Sequence, residues 1–236
     1  MQLFYNPNIS ENSKEITFDK EESRHIVKVL RMTEGDTFKI TNGKGSFFNA
    51  EISKANPKGC LVKIVSKEKQ APLPYQLHLA VAPTKLNDRY EWFLEKATEI
   101  GISEITPIIC DHSERKVIKR ERYEKIIQSA AKQSLKAYLP KLNEAISFNN
   151  FINSEVASES LKCIAHCEET DKKSLKSVLI PNKKTTILIG PEGDFSSEEI
   201  ALAKKNGYVP VTLGESRLRT ETAAIVACHS VAYSNQ

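Results

Sequence analysis

No apolar run in this 236-residue chain approaches the ~20 residues needed to cross a bilayer, and the N-terminus lacks a basic-then-apolar signal pattern. Both absences point to a cytoplasmic protein with no membrane partner. Cysteine is sparse. Cys60, Cys110, Cys163, Cys167 and Cys228 are odd in number and scattered, which argues for reduced thiols and against a disulfide frame. Cys163, His166 and Cys167 lie close together, but no second ligand pair stands at zinc spacing, so no metal site is expected. No glycine loop ends in Lys-Ser or Lys-Thr, which removes a nucleotide-hydrolysis reading. Internal repeats and low-complexity segments are absent as well.

What the chain does have is a pair of glycine loops near its C-terminal end. Residues 185–189 read as a buried strand, and Gly190-Pro191-Glu192-Gly193 force a tight loop directly after it. A short helix follows, opened by a capping box of Ser196 and Glu199 and stopped at Gly207. Residues 208–213 read as a second short strand ending at Gly214, before a small-residue helix that starts near Thr220. In open α/β sheets, ligands settle outside the carboxyl ends of strands, where backbone groups and helix N-termini converge. Strand, glycine turn and helix are ordinary grammar in such folds. Arg219, Thr220, Glu221 and Thr222 go further, adding a cation, a carboxylate and two hydroxyls that a purely structural turn does not need.

The rest of the chain divides at residues 67–74, a charged stretch in which Pro72 and Pro74 mark a linker. Before it lie short β-type runs at 3–5, 16–18, 38–41, 46–52 and 60–65, which suggest a small β-barrel. Asn42-Gly43 signals a type I′ hairpin, in which both central residues take positive φ. One helix interrupts at 21–32, with Ile26, Val29 and Leu30 facing inward. After the linker, strands and helices alternate as a parallel sheet requires. Strands are expected at 76–82, 105–110 and 161–165. Helices are expected at 86–100, 120–138 and 148–158.

Positive charge is localised. Residues 1–70 carry a net +3 and residues 112–136 a net +5, while the remainder carries −4. Such surfaces suit phosphates, although Glu114, Glu121 and Glu124 also fit a solvated, internally paired helix face. Arg24, Lys28 and Arg31 fall at i, i+4 and i+7, so one phosphate-facing stripe is geometrically possible.

Gly-Pro-Glu-Gly at 190–193 and Leu-Arg-Thr-Glu-Thr-Ala at 218–223 resemble the signature loops of the SPOUT methyltransferases. The similarity is greatest to the RsmE-type family of bacterial 16S ribosomal RNA uridine N3-methyltransferases. Arg24, His25, Val29, Leu30 and Arg31 resemble the segment that opens that family's PUA-like RNA-binding barrel. Lys85, Asp88, Arg89, Glu91 and Trp92, then Lys96, Ala97, Thr98, Glu99 and Gly101, resemble a second motif. Residues 130–134 resemble a third, with Lys132 in place of the usual acid. Where the family reads Leu-Gly-x-Arg-Ile-Leu-Arg, Glu215, Ser216 and Arg217 fill the middle, so the first arginine is missing or displaced by one.

The resemblance implies a PUA-like barrel at 1–70 and an α/β SPOUT domain at 74–236 whose last three strands form a deep trefoil knot around S-adenosylmethionine. It also implies a homodimer acting on 16S ribosomal RNA in the small ribosomal subunit. By the same resemblance the cofactor is held by His166, Ile189, Gly190, Pro191, Glu192, Gly193, Leu213, Gly214, Leu218, Thr222 and Ala223. RNA would meet Arg24, His25, Lys28, Arg31, Lys85 and Arg115, with packing or capping the plainer role for His25. A uracil N3 must lose its proton to attack, and the resulting anion calls for a cation in a water-poor pocket. Arg219 is the first candidate, Arg89 the second, with Glu221 or Thr222 fixing the loop. Two other readings stay open: the same fold acting on a ribose 2′-hydroxyl or a transfer RNA base, and an RNA-binding ribosome assembly factor without turnover.

Overall fold

The computed structural model describes residues 2–154 and 160–236. The chain forms two compact units, Met1–Pro72 with Ala131–Leu139, and Leu73–Ala130 with Pro140–Gln236.

In the first unit, β1 (Leu3–Tyr5), β2 (Glu15–Thr17), β3 (Thr37–Thr41), β4 (Ser46–Lys54) and β5 (Leu61–Lys69) pair in the order β1-β3-β4-β5-β2. Side chains alternate across a strand, so Phe48, Ala50 and Ile52 of β4 turn inward to meet Phe4, Phe18, Ile26, Phe38, Ile40 and Val62. The Asn42-Gly43 turn is not type I′. Positive φ falls on Gly43 and Gly45 instead, in a four-residue loop where Asn42 Oδ1 accepts the Lys44 N–H at 2.8 Å. The loop is shaped by a distant stretch of chain. A Cβ on Gly45 would run into the Tyr138 ring, and the Leu139 N–H donates to the Gly43 carbonyl at 3.0 Å.

The expected helix at 21–32 is also different. After α1 (Lys20–Arg24), capped by Asp19, the chain widens into a π-turn at His25–Val29, in which the Leu30 N–H reaches back to the His25 carbonyl at 2.9 Å. A wider turn shifts the face of every residue after it. Ile26 is therefore fully buried while Val29, expected inward, is 66% exposed. Arg24, Lys28 and Arg31 are all exposed, but the α-helical spacing that would align them is gone, and Arg31 leaves the turn with φ 56°.

The second unit contains β6 (Gln76–Val81), α2 (Asn87–Ile100), β7 (Glu104–Ile109), α3 (Arg120–Gln133) except its last three residues, β8 (Lys141–Leu142), β9 (Ile146–Ser147), α4 (Phe148–Asn153) and β10 (Leu161–Ala165). β11 (Lys173–Ser174), α5 (Leu175–Val178), β12 (Lys184–Ile189), α6 (Ser197–Lys205), β13 (Val209–Thr212) and α7 (Thr220–Tyr233) complete it. The strands pair in the order β11-β13-β10-β12-β6-β7-β8, all parallel, with β9 beside β7. Both faces of a parallel sheet are covered by helices, so its central strands are apolar throughout. Leu77, Leu79 and Val81 of β6 pack with Tyr90, Phe93, Ala97, Tyr123 and Ala227 on one side, while Ala80 joins Phe148, Phe195 and Ile200 on the other. α3 stops at Gln133, five residues short of the expected end, where Leu135 adopts φ 54° and breaks the helix. α4 ends at Asn153, and the rest of the helix expected to 158 lies at residues 155–159, outside the described part.

Candidate functional site

β13, β10 and β12 are neighbours in the sheet and point the same way, so their carboxyl ends, Thr212, Ala165 and Ile189, open on one edge. Two cavities of about 280 Å³ and about 440 Å³ lie there and share Ala165, Cys167, Asp194, Arg217, Leu218 and Ala223. Sites for small molecules span roughly 300–1,000 Å³, so together the two hollows suit one such ligand.

Of the expected cofactor residues, Ile189, Gly190, Pro191, Glu192, Leu218 and Ala223 line the smaller cavity. His166, Leu213 and Gly214 line the larger. Gly193 and Thr222 line neither, and Gly193 turns toward His112, whose Cβ would sit 3.0 Å from a Cβ placed on the glycine. Gly190 is needed for space as well: a Cβ there would come within 3.1 Å of the Phe195 ring. Thr220 Oγ1 donates to the Gly190 carbonyl at 3.0 Å, which joins the start of α7 to the loop after β12.

The capping box at α6 forms as expected, Ser196 accepting from the Glu199 N–H and Glu199 from the Ser196 N–H. The other oxygen of the Glu199 carboxylate accepts the Asp111 N–H at 3.0 Å, and burial foremost pushes the Glu199 pKa up. His166 is 94% buried, both ring nitrogens lack a protein partner, and burial foremost, with Lys172 second, pushes its pKa down. A neutral, unpartnered imidazole on a cavity wall has hydrogen bonds left to offer a ligand.

Arg219 is the N-cap residue of α7 and lines the smaller cavity, and Arg217 lines both. Neither has an ion-pair partner among the described residues. Arg89 does not line the cavities; its Nε lies 3.8 Å from Oε1 of the buried Glu221 in the first turn of α7. Lys85 is exposed and pairs with Glu114 at 2.8 Å, and its N–H is held by Glu192 Oε1 at 2.9 Å. Arg115, expected to meet RNA, is half-buried, and its guanidinium donates to the carbonyls of Thr84 and Lys85 at 3.0 and 2.8 Å. His25 is half-buried against the Phe4 ring.

Cys167, which follows His166 at the end of the 161–165 strand and is expected by analogy in the same cofactor loop, lines both cavities. Sequence reasoning missed Lys172 and Asp194. Lys172 Nζ binds the His166 and Glu168 carbonyls at 3.0 and 2.8 Å, a role no motif announces. Among the described residues no group of three or more His, Cys, Asp or Glu could hold a metal, and no helix is long and apolar enough to cross a membrane.

Comparison with known proteins bears on this geometry. An RNA methyltransferase domain model matches residues 71–232, and an RNA methyltransferase PUA domain model matches residues 18–65. The chain is 33% identical over 218 residues to ribosomal RNA small subunit methyltransferase E of Buchnera aphidicola subsp. Acyrthosiphon pisum, covering 89% of this chain and 85% of that protein. A crystal structure of a probable rRNA-methyltransferase from Porphyromonas gingivalis superposes with a TM-score of 0.91 at 42% identity, over 99% of both chains. A ribosomal RNA small subunit methyltransferase E from Neisseria gonorrhoeae, bound to S-adenosyl methionine, superposes with a TM-score of 0.90 at 25% identity, over 100% of this chain and 98% of that one.

Proposed function

Because the chain belongs to the ribosomal RNA small subunit methyltransferase E family, we propose that it transfers a methyl group from S-adenosylmethionine to N3 of a uridine in small-subunit ribosomal RNA. The observation that carries this is the paired cavity at three adjacent strand ends, bordered by two arginines with no ion-pair partner. The residues present fit the cofactor: His166, whose buried ring nitrogens have no hydrogen-bond partner, lines one hollow, and Gly190, Pro191 and Glu192 line the other. Backbone at Ile189, Gly190, Leu213, Gly214 and Leu218 would hold it. When bound, it supplies an electrophilic methyl on a sulfonium.

The chain's own residues then have three tasks. Arg219 stabilises the uracil anion created when N3 loses its proton, in a site where water is partly excluded. Glu221 anchors Arg89 at the base of α7, and Thr220 holds the loop after β12. Arg24, His25, Lys28 and Arg31 of the first unit, with Lys85 of the second, meet RNA phosphates.

The finer architecture belongs to the same proposal. A trefoil knot is supported by the return of the chain after β13 to the Gly190 carbonyl, through Thr220. A cytoplasmic homodimer packing on α7 is supported by the apolar side chains that this helix leaves partly or fully exposed, Ala223, Val226 and Tyr233.

The deciding assay incubates the purified protein, labelled S-adenosylmethionine and small ribosomal subunits from cells lacking it, then maps the label by mass. The expected product is one N3-methyluridine. Label on a ribose would remove the base assignment, and cofactor binding without any label on RNA would remove the enzyme.

A further inference from the structure

We propose that Asp194 is a positioning residue that sets the width of the cofactor cavity by tying the loop after β12 to the loop after β10. This rests on the cofactor reading above and adds a residue to it. Asp194 is one of four non-glycine residues with positive φ among the described residues, at 64°. A residue with a Cβ keeps that conformation only where its surroundings hold it.

Its own carboxylate does the holding. Oδ2 accepts the Cys167 N–H at 2.6 Å, across 27 residues of chain, and Oδ1 accepts the Phe195 N–H at 2.9 Å. The Asp194 N–H closes the turn onto the Pro191 carbonyl at 2.9 Å. From the loop after β7, His112 Nδ1 lies 3.1 Å from the carbonyl oxygens of both Gly193 and Asp194. Carbonyls only accept, so Nδ1 carries the proton and donates. Three strand ends thus converge on one residue.

Asp194 and Cys167 both line both cavities, so the bond between them spans the wall that the two hollows share. A carboxylate accepting a backbone N–H is a charge-assisted bond, shorter and stronger than a neutral one. Without it the Cys167 amide has no acceptor on the β12 side, and the His166–Cys167 wall is released from the Gly190 loop. Because Asp194 acts through these loops, its loss falls on cofactor affinity and leaves the chemical step alone.

Two substitutions test this in the full-length protein. Asp194→Gly removes the tie and also relieves the left-handed backbone, which glycine adopts freely, so the variant keeps the fold. Asp194→Asn keeps the shape but sets an NH₂ against one of the two N–H groups. Calorimetry with S-adenosylmethionine and with its demethylated thioether product, together with KM and kcat on small ribosomal subunits, gives the readout. Both variants should bind both compounds roughly ten- to a hundredfold more weakly, the factor of one charge-assisted hydrogen bond, with kcat at saturating cofactor unchanged. Wild-type affinity in both variants overturns the proposal. So does a loss of kcat without a change in KM, or a loss of affinity confined to the sulfonium, which would make the carboxylate a charge-recognition group. If the unsubstituted protein binds no S-adenosylmethionine, the cofactor reading fails and the positioning role falls with it, and that control separates the two failures.

Discussion

Arg89 Nε lies 3.8 Å from Glu221 Oε1, while the other oxygen of that carboxylate, Oε2, is buried with no hydrogen-bond partner. Glu221 is 6% exposed, and the Arg89 side chain about one third. A buried carboxylate stripped of its cation is costly, whereas removing both charges is nearly neutral. The exposure of Arg89 and the length of the contact reduce the effect. Arg89→Ala should therefore destabilise by about 1–2 kcal/mol. Adding Glu221→Gln should recover at least half of that loss. Urea unfolding of the two single variants and the double variant measures the coupling, and purely additive values would show that the pair does not interact.

Arg219→Ala should separate stability from turnover. The side chain makes no cap bond at the start of α7 and is exposed, so truncation should change stability by less than ~0.5 kcal/mol. Loss of a group that stabilises charge in the transition state typically lowers kcat by roughly 10²–10³. Single-turnover methyl transfer beside calorimetry with the cofactor checks this. Turnover at the wild-type rate would take Arg219 out of the mechanism, and Arg217→Ala in parallel reports whether the neighbouring arginine carries the role.

The elements that sequence reading located well are those with a local chemical cause. β10 is found at 161–165, the capping box forms between Ser196 and Glu199, and Gly101 with φ 129° closes α2. The failures have non-local causes. Nothing near Asn42 says that Tyr138 and Leu139, almost a hundred residues later, will occupy the space beside Gly43 and Gly45 and lengthen the turn. The π-turn at His25–Val29 keeps Ile26 buried at the expense of Val29, a choice made by the core around Phe4 and Phe38 and not by helical periodicity. At the candidate site, Gly190 and Gly214 were legible because they follow strand ends, and Arg219 because it stands directly before the small-residue helix. Asp194 was not, because its importance comes from a partner 27 residues away.

Gly190→Ala should be damaging where Gly59→Ala is not. At Gly190 a Cβ would stand 3.1 Å from the Phe195 ring and 3.2 Å from its backbone nitrogen, and Phe195 is buried. The backbone atom cannot step aside, so overpacking of about 1–3 kcal/mol is expected, together with weaker cofactor binding. At Gly59 the nearest atom, Thr17 Cγ2, is at an ordinary 3.5 Å. The Gly59 change should stay within about 0.5 kcal/mol. Thermal melts with and without S-adenosylmethionine distinguish the two losses: the Gly190 variant should show both a lower midpoint and a smaller ligand-induced rise.

The acid limb of the stability curve should be governed in large part by His78. The ring is 93% buried, and burial foremost pushes its pKa down to about 4, against an opposing pull from Glu104 and with smaller help from Lys184 and Lys141. Thr106 Oγ1 lies 2.7 Å from Nε2 and also receives a hydrogen bond from Asn143 Nδ2. Its own proton is thus free to go to Nε2, which leaves the imidazole neutral with its N–H on Nδ1, toward Glu104. In the unfolded chain a histidine takes up its proton near pH 6.5, while the folded protein resists until about pH 4. Between those values the unfolded state binds more protons, so stability is complete above pH 6.5 and falls as pH drops through the window. The shift corresponds to about 3 kcal/mol in full. His78→Asn should flatten this limb while lowering stability at pH 8 through the altered Thr106 contact. Urea midpoints measured from pH 4.5 to 8 give the slope, and an unchanged slope in the variant would assign the acid sensitivity to other groups, His166 first among them.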